Sequence, residues 1–225
     1  IISLLVSILN FFLIFNMFEK KIVIREHKED FYLFFLAVLF IIFVYLTDNK
    51  GFHAIINVLS SFSNSGLSLL ETENNLSLLF IFIASLGGSL VSNTSGIKLT
   101  RIYILIKSTS SEIVKLISPN SIINKTIFNT EKKITDEKIK ISFLIFISFF
   151  ISLFILSGIL IADNVNFEKS FKLSILTITN TATSSMFGIE DINFANLLTT
   201  SKLSLIIFMI IGKIELISIF LIIKK

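Results

Sequence analysis

Apolar blocks of about 17 to 25 residues, the length at which a helix crosses a hydrocarbon layer of about 30 Å, recur along this sequence. They fall at residues 1–18, 31–47, 138–161 and 200–223, while a longer run, 76–117, is interrupted by small and polar residues. Two further apolar stretches, 51–62 and 168–179, are too short to cross, and each runs into a small polar tetrapeptide. Soluble domains are roughly 45 to 50% apolar. This chain of 225 residues is 53% hydrophobic with a mean hydropathy of +0.87. Such a composition disfavours a water-soluble fold, and the pattern predicts an all-α integral membrane protein.

Several function classes fall away next. Without cysteine there is no disulfide framework, thiol nucleophile or cysteine metal site. His27 and His53 stand too far apart for a zinc site, and His53, opening the short stretch 51–62, reads as interfacial. No catalytic constellation is present, so no enzyme is expected. The net charge of +4 does not indicate nucleic acid, because the basic residues fall between apolar blocks instead of along one face. They indicate topology. Fifteen Lys and Arg lie in 19–30, 98–140 and at Lys224 and Lys225, against four (Lys50, Lys169, Lys172, Lys202) on the other side. By the positive-inside rule the long basic loops are cytoplasmic and both short stretches enter from outside. The first residue is Ile and the opening run has no basic leader, so this run is not expected to be a cleaved signal, and the chain is expected to begin inside a longer protein.

The blocks repeat. A spanning helix at 31–47, a short helix at 51–62, the turn Ser63-Asn64-Ser65-Gly66 and a second helix broken at Gly87-Gly88-Ser89 and Ser92-Asn93-Thr94-Ser95-Gly96 form one unit over 31–117. Residues 118–137, with the only proline, Pro119, form a connecting loop. The order returns over 138–225, with a spanning helix, a short helix at 168–179, the turn Thr179-Asn180-Thr181-Ala182 and a last helix. The two tetrapeptides lie 116 residues apart, as do Gly96 and Gly212. Residues 1–18 are left as one helix ahead of both units.

Non-helical backbone at membrane depth survives only where protein covers it or water meets it, since each unsatisfied carbonyl in lipid costs several kcal/mol. Two such dips imply a shared aqueous cavity. A short helix entering from outside points its partially negative C-terminus at the bilayer middle, which favours a cation there. The small residues that follow can aim carbonyls at an axis and replace a hydration shell, and Gly66 permits the backbone angles this needs. The bland alternative is a plain Ser/Asn/Gly turn, but such a turn needs no apolar lead-in of 51–62.

Phe62-Ser63-Asn64-Ser65-Gly66-Leu67-Ser68, Gly87-Gly88-Ser89 running to Gly96-Ile97-Lys98-Leu99-Thr100-Arg101, and Gly212-Lys213-Ile214-Glu215 resemble the third and fourth repeats of the Trk/Ktr/HKT potassium transporter superfamily, its TrkH branch in particular. The resemblance implies tandem helix, pore-helix, filter and helix repeats, of which this chain holds half of a pseudo-fourfold pore, with 1–18 as the last helix of the preceding repeat. It implies an ion-binding filter at Ser63, Asn64, Ser65, Gly66 and Leu67 and at Thr179, Asn180, Thr181, Ala182 and Thr183. A gating loop follows at Gly87, Gly88, Ser89, Ser92, Asn93, Thr94, Ser95 and Gly96. The permeant ion is K+ or Na+, the assembly a homodimer with a cytoplasmic nucleotide-binding ring of TrkA or KtrA type, and the location the bacterial inner membrane. Two positions depart from the family. Ala182 stands where the fourth filter has glycine, and an alanine held left-handed there would cost about 1 to 2 kcal/mol. Lys213 replaces an arginine and keeps the charge without its planar fork.

A charge near mid-helix in a membrane costs at least about 2.5 to 3.5 kcal/mol, so Lys213 is expected to serve the pore, repelling cations until hydrated or displaced. The alternative is a structural pair with a neighbouring helix, in which Glu215, two residues away, does not share its face. Lys98 and Arg101 are expected to snorkel to the cytoplasmic surface. Asp48, Glu71, Glu73, Glu190 and Asp191 are outer-loop acids that either concentrate cations or stay solvated. The reading is a potassium uptake protein, and its rivals are a non-conducting structural partner and a secondary transporter of an organic solute.

Overall fold

A computed structural model describes residues 1–18, 27–48, 51–68, 76–118, 126–128, 130, 133–189, 192 and 194–213. In chain order its helices are α1 (Ile2–Ile8), α2 (Phe11–Phe18), α3 (Lys28–Asp48), α4 (Gly51–Phe62), α5 (Ser77–Ser85), α6 (Leu99–Ile117), α7 (Asp136–Ala162), α8 (Phe167–Ile178) and α9 (Thr199–Lys213). Among them α3 and α7 are long and apolar enough to cross a membrane. Both leave large apolar side chains exposed, among them Phe34, Phe35, Phe143 and Phe154, a surface suited to hydrocarbon and not to water. Local chemistry sets where these helices begin. Thr135 accepts from the Lys138 amide ahead of α7, and Asp136 and Glu137 sit in its electropositive first turn. Asn166 caps α8 through the Glu168 amide.

The two short helices occupy the interior. α4 packs against α3 and α5, α8 against α7 and α9, and α5 meets α8 to join the halves. Phe62, Phe80, Leu156, Leu160, Leu176 and Phe187 are fully buried around that junction. Several of their hydroxyls bond back along their own helix. Ser61 donates to Asn57 O at 2.8 Å, Ser174 to Ser170 O at 2.7 Å and Thr177 to Leu173 O at 2.7 Å, each one turn back.

Shifting α4 by 116 residues gives the bounds of α8, and the correspondence continues through the bonds that end each helix. Ser65 N reaches Ser60 O at 3.1 Å and Thr181 N reaches Leu176 O at 2.8 Å, while Asn64 N reaches Ser61 O and Asn180 N reaches Thr177 O. Asn64 (φ 57°) and Asn180 (φ 51°) supply the left-handed residue. Both helices thus end in a Schellman motif, with asparagine in the place glycine usually holds.

Three expectations need correction. Residues 1–18 are two helices, because backbone groups of Ile8, Asn10 and Phe11 bond outside the helix. Asp30 Oδ1 accepts from Asn10 N at 2.8 Å, Ile8 O accepts from Ser89 N at 3.1 Å, and Phe11 N donates to Val91 O at 2.9 Å. The second correction concerns the break in 76–117, which closes on a parallel strand pair, β1 (Leu86–Gly87) with β2 (Ile97–Lys98), within a fold otherwise expected to be helical. That pairing draws the two ends of the excursion together. Third, Gly96 and Gly212 are not local equivalents. Gly96 has φ +84° within the excursion, whereas Gly212 lies inside the continuous α9.

The described part of 118–137 folds back onto this scaffold. Phe128 stacks on Tyr103 of α6 at 4.2 Å and on Tyr32 of α3 at 5.2 Å, and Thr126 bridges to Lys133. Pro119, Glu71, Glu73, Glu190, Asp191 and Glu215 lie outside the described residues, as do 19–26 and the last helix beyond Lys213.

Candidate functional site

The tetrapeptides after α4 and α8 repeat each other down to their hydroxyls. Ser63 Oγ donates to Ser65 Oγ at 3.0 Å and to Ser60 O at 3.1 Å. In the second unit Thr179 Oγ1 and Thr181 Oγ1 lie 2.7 Å apart, and Thr179 also donates to Ile175 O at 2.9 Å. The hydroxyls therefore brace each turn from within. Beyond them Leu67, Ala182 and Thr183 are exposed, while Gly66 is buried.

These turns meet. A Cβ on Gly66, whose φ is +70°, would lie 2.1 Å from the Ala182 carbonyl oxygen, so a side chain there has neither the conformation nor the space. The Asn64 amide donates to Thr181 Oγ1 at 3.0 Å and to Ala84 O at 2.9 Å, and Asn64 Oδ1 accepts from Ser95 N at 3.2 Å. One buried asparagine thus joins both turns, the end of α5 and the excursion. Asn180 instead donates to Met209 O of α9 at 2.8 Å. Ser68 and Ser185 hydroxyls add a contact at 3.1 Å. The strain expected at Ala182 is not present. Its φ is not positive, so its backbone differs from that of Gly66, its counterpart at the 116-residue offset.

The excursion 88–96 is held by two lysines. Lys98, expected to snorkel outward, is instead buried beneath it, donating to Thr94 O at 2.5 Å, Ser92 O at 3.2 Å and Ser92 Oγ at 3.0 Å. It is drawn inward because these carbonyls lack partners in the strand pair, and a charge-assisted bond is about twice as strong as a neutral one. Lys213 reaches across from α9 to Asn93 O at 2.8 Å and Asn93 Oδ1 at 3.3 Å. Gly212 lets α9 approach α8, since a Cβ there would meet Ile178 O at 1.9 Å. A cavity of about 270 Å³ lies between the excursion and the end of α9, lined by Asn93, Ser95, Gly96, Lys98 and Lys213 among others. Gly88 N donates to Thr94 Oγ1 at 2.7 Å, and the Ser89 side chain is buried.

Sequence reasoning missed the acids that hold the opposite side of the excursion. Glu29 Oε1 accepts from Leu90 N at 2.9 Å and from Thr100 Oγ1. Asp30, buried, lies 3.6 Å from His27 Nδ1 and binds Asn10 N. In sequence both fall within the basic stretch 19–30, read as an aqueous loop. Their position in the first turn of a long apolar helix was the available signal, since acids there cap the positive helix end and face whatever packs beneath. Lys172 of α8 was also passed over. It is buried, bonded to Glu168 at 2.7 Å and to Ser77 Oγ at 3.3 Å, and this hydrogen bond and the ammonium charge hold the exposed Glu168 carboxyl below its ordinary value. His53 is half-buried, with Nδ1 enclosed and no partner among the described residues.

A family model described as a cation transport protein, TrkH, matches residues 71–225. A search of curated proteins returns no match. Among solved structures, the crystal structure of the potassium transporter TrkH from Vibrio parahaemolyticus is similar, with a TM-score of 0.84 and 19% sequence identity over 98% of this chain. The alignment covers 50% of that transporter, so this chain spans about half its length.

Proposed function

The chain belongs to the TrkH cation transport family, and we propose that it forms part of a potassium uptake pathway whose filter is shared by residues 63–67 and 179–183. The observation that supports this most is the contact of two turns with matching bonds, Gly66 against the Ala182 carbonyl. The negative ends of α4 and α8 converge there and favour a cation. The hydroxyls of Ser63, Ser65, Thr179 and Thr181 bond within their turns, and main-chain carbonyls would be the principal groups that replace water around the ion. K+ is the proposed cargo and Na+ the competitor, since the Ala182 backbone differs from that of Gly66. No covalent step is involved, and ions move down their electrochemical gradient.

Residues 87–96 are the gate in this reading. Lys98 and Lys213 hold the excursion by its carbonyls, and Lys213 adds a positive charge beside the cavity, so passage requires both to move or hydrate. The protein would sit in a bacterial inner membrane as a multi-pass subunit with its long basic loops cytoplasmic. Further repeats beyond this chain would complete a fourfold ring, and a homodimer with a nucleotide-binding ring of TrkA or KtrA type would control the loop. Growth of a potassium-starved host lacking its own uptake systems tests the proposal. The complete gene should restore growth at low potassium, and absence of growth with the protein present in the membrane would favour the non-conducting reading.

A further inference from the structure

The excursion is gripped from two sides by opposite charges. On one side the ammonium groups of Lys98 and Lys213 take its carbonyls at Ser92, Asn93 and Thr94. On the other, a single oxygen of Glu29 takes the Leu90 amide, in the first turn of the excursion, and the Thr100 hydroxyl, in the first turn of the helix that resumes after it. Glu29 belongs to neither. It stands in the first turn of α3, a long helix packed against α4, so it ties the start of the excursion and the start of α6 to a separate element. Next to it Asp30 holds the Asn10 amide at the α1 and α2 break, where Ser7 O and Ile8 O receive the Asn93 and Ser89 amides.

We propose that Glu29 is a positioning residue that latches the 88–96 excursion in its closed place, so that the excursion cannot leave the pathway without breaking both bonds to one carboxylate oxygen. The assignment rests on the conduction reading above for its consequence, but not for its geometry. A bond between a charged acceptor and a backbone amide is stronger than a neutral one, and losing it removes a specific restraint on residues 88–96 while leaving α7 and α8 untouched.

Hydrogen exchange of the complete protein in lipid nanodiscs, read by mass spectrometry and paired with rubidium uptake in cells, tests this. Glu29→Ala should speed exchange across 88–96 on the order of tenfold with 167–178 unchanged, and should raise uptake at equal protein level. Glu29→Gln, which keeps an acceptor without the charge, should fall between it and the native protein. Thr100→Val removes only one of the two donors and should reproduce part of the effect even where Glu29→Ala does not fold. Unchanged exchange at 88–96 in both Glu29→Ala and Thr100→Val, or a rise shared equally by α7 and α8, overturns the latch. Faster loop exchange with no rubidium uptake by any form, the native protein included, supports the latch and overturns conduction instead. Native uptake with unaltered loop exchange does the reverse.

Discussion

The Asn64 side-chain amide donates at 3.0 Å to Thr181 Oγ1, 117 residues away in sequence, and so bridges the two turns. With its bonds to Ala84 O and Ser95 N, this asparagine ties both turns to the excursion. Asn64→Asp puts an acceptor where a donor faces two oxygens. A buried unsatisfied group costs about 1 to 3 kcal/mol, so Asn64→Asp should lower the thermal midpoint clearly more than Asn180→Asp, whose half-buried amide serves one partner. Differential scanning fluorimetry of both variants checks the ranking.

Gly66→Ala meets two obstacles at once, a left-handed backbone and the Ala182 carbonyl. The first alone costs about 1 to 2 kcal/mol, and the overlap forces the turns apart. Potassium uptake should fall to background while the protein still reaches the membrane, as a blot of membrane fractions beside the uptake assay will show.

Ala182→Gly should behave in the opposite sense. Ala182 is exposed and unstrained, so removing its Cβ costs little, yet it frees the backbone to adopt the angles of Gly66. The expected outcome is a higher ratio of potassium to sodium uptake in a competition assay, with thermal stability within about 1 kcal/mol of native.

Lys213→Gln shortens and neutralises the contact with Asn93 and should raise uptake on the order of tenfold at equal protein level, because one charged bond to the excursion is lost. Lys213→Arg should retain low uptake.

The repeat was legible because it is written in spacing. Short apolar stretches with a 116-residue offset mark two buried helices, and asparagine in the second place of each tetrapeptide marks the left-handed stop. What sequence could not convey was partnership across the chain. Glu29 and Asp30 look like solvated acids until the excursion is laid against them, and Lys98 looks like a snorkelling charge until the carbonyls of Ser92 and Thr94 that it binds appear above it. The split of residues 1–18 was hidden for the same reason, since an apolar run continues helical by default unless a distant segment claims its backbone bonds. The strain assigned to Ala182 failed differently. It assumed that an aligned position must share a backbone angle, whereas the chain relaxes wherever its neighbours allow.

Acid should loosen the N-terminal end of α8. Glu168 has a depressed carboxyl value because Lys172 bonds its charged form, so the stability it contributes is present above the ordinary carboxylate range and is lost as pH falls through the depressed value. Glu168→Gln should remove that pH dependence, as thermal midpoints recorded across the acidic range will show, with only a slight change near neutral pH because the group is exposed.

The two turns are proposed to line one cation path. Crystals of the complete protein soaked in rubidium locate the ion directly by anomalous scattering. A peak within coordination distance of main-chain oxygens from both 63–67 and 179–183 is expected, while rubidium bound elsewhere in the protein with none between these turns would show that they do not form the path.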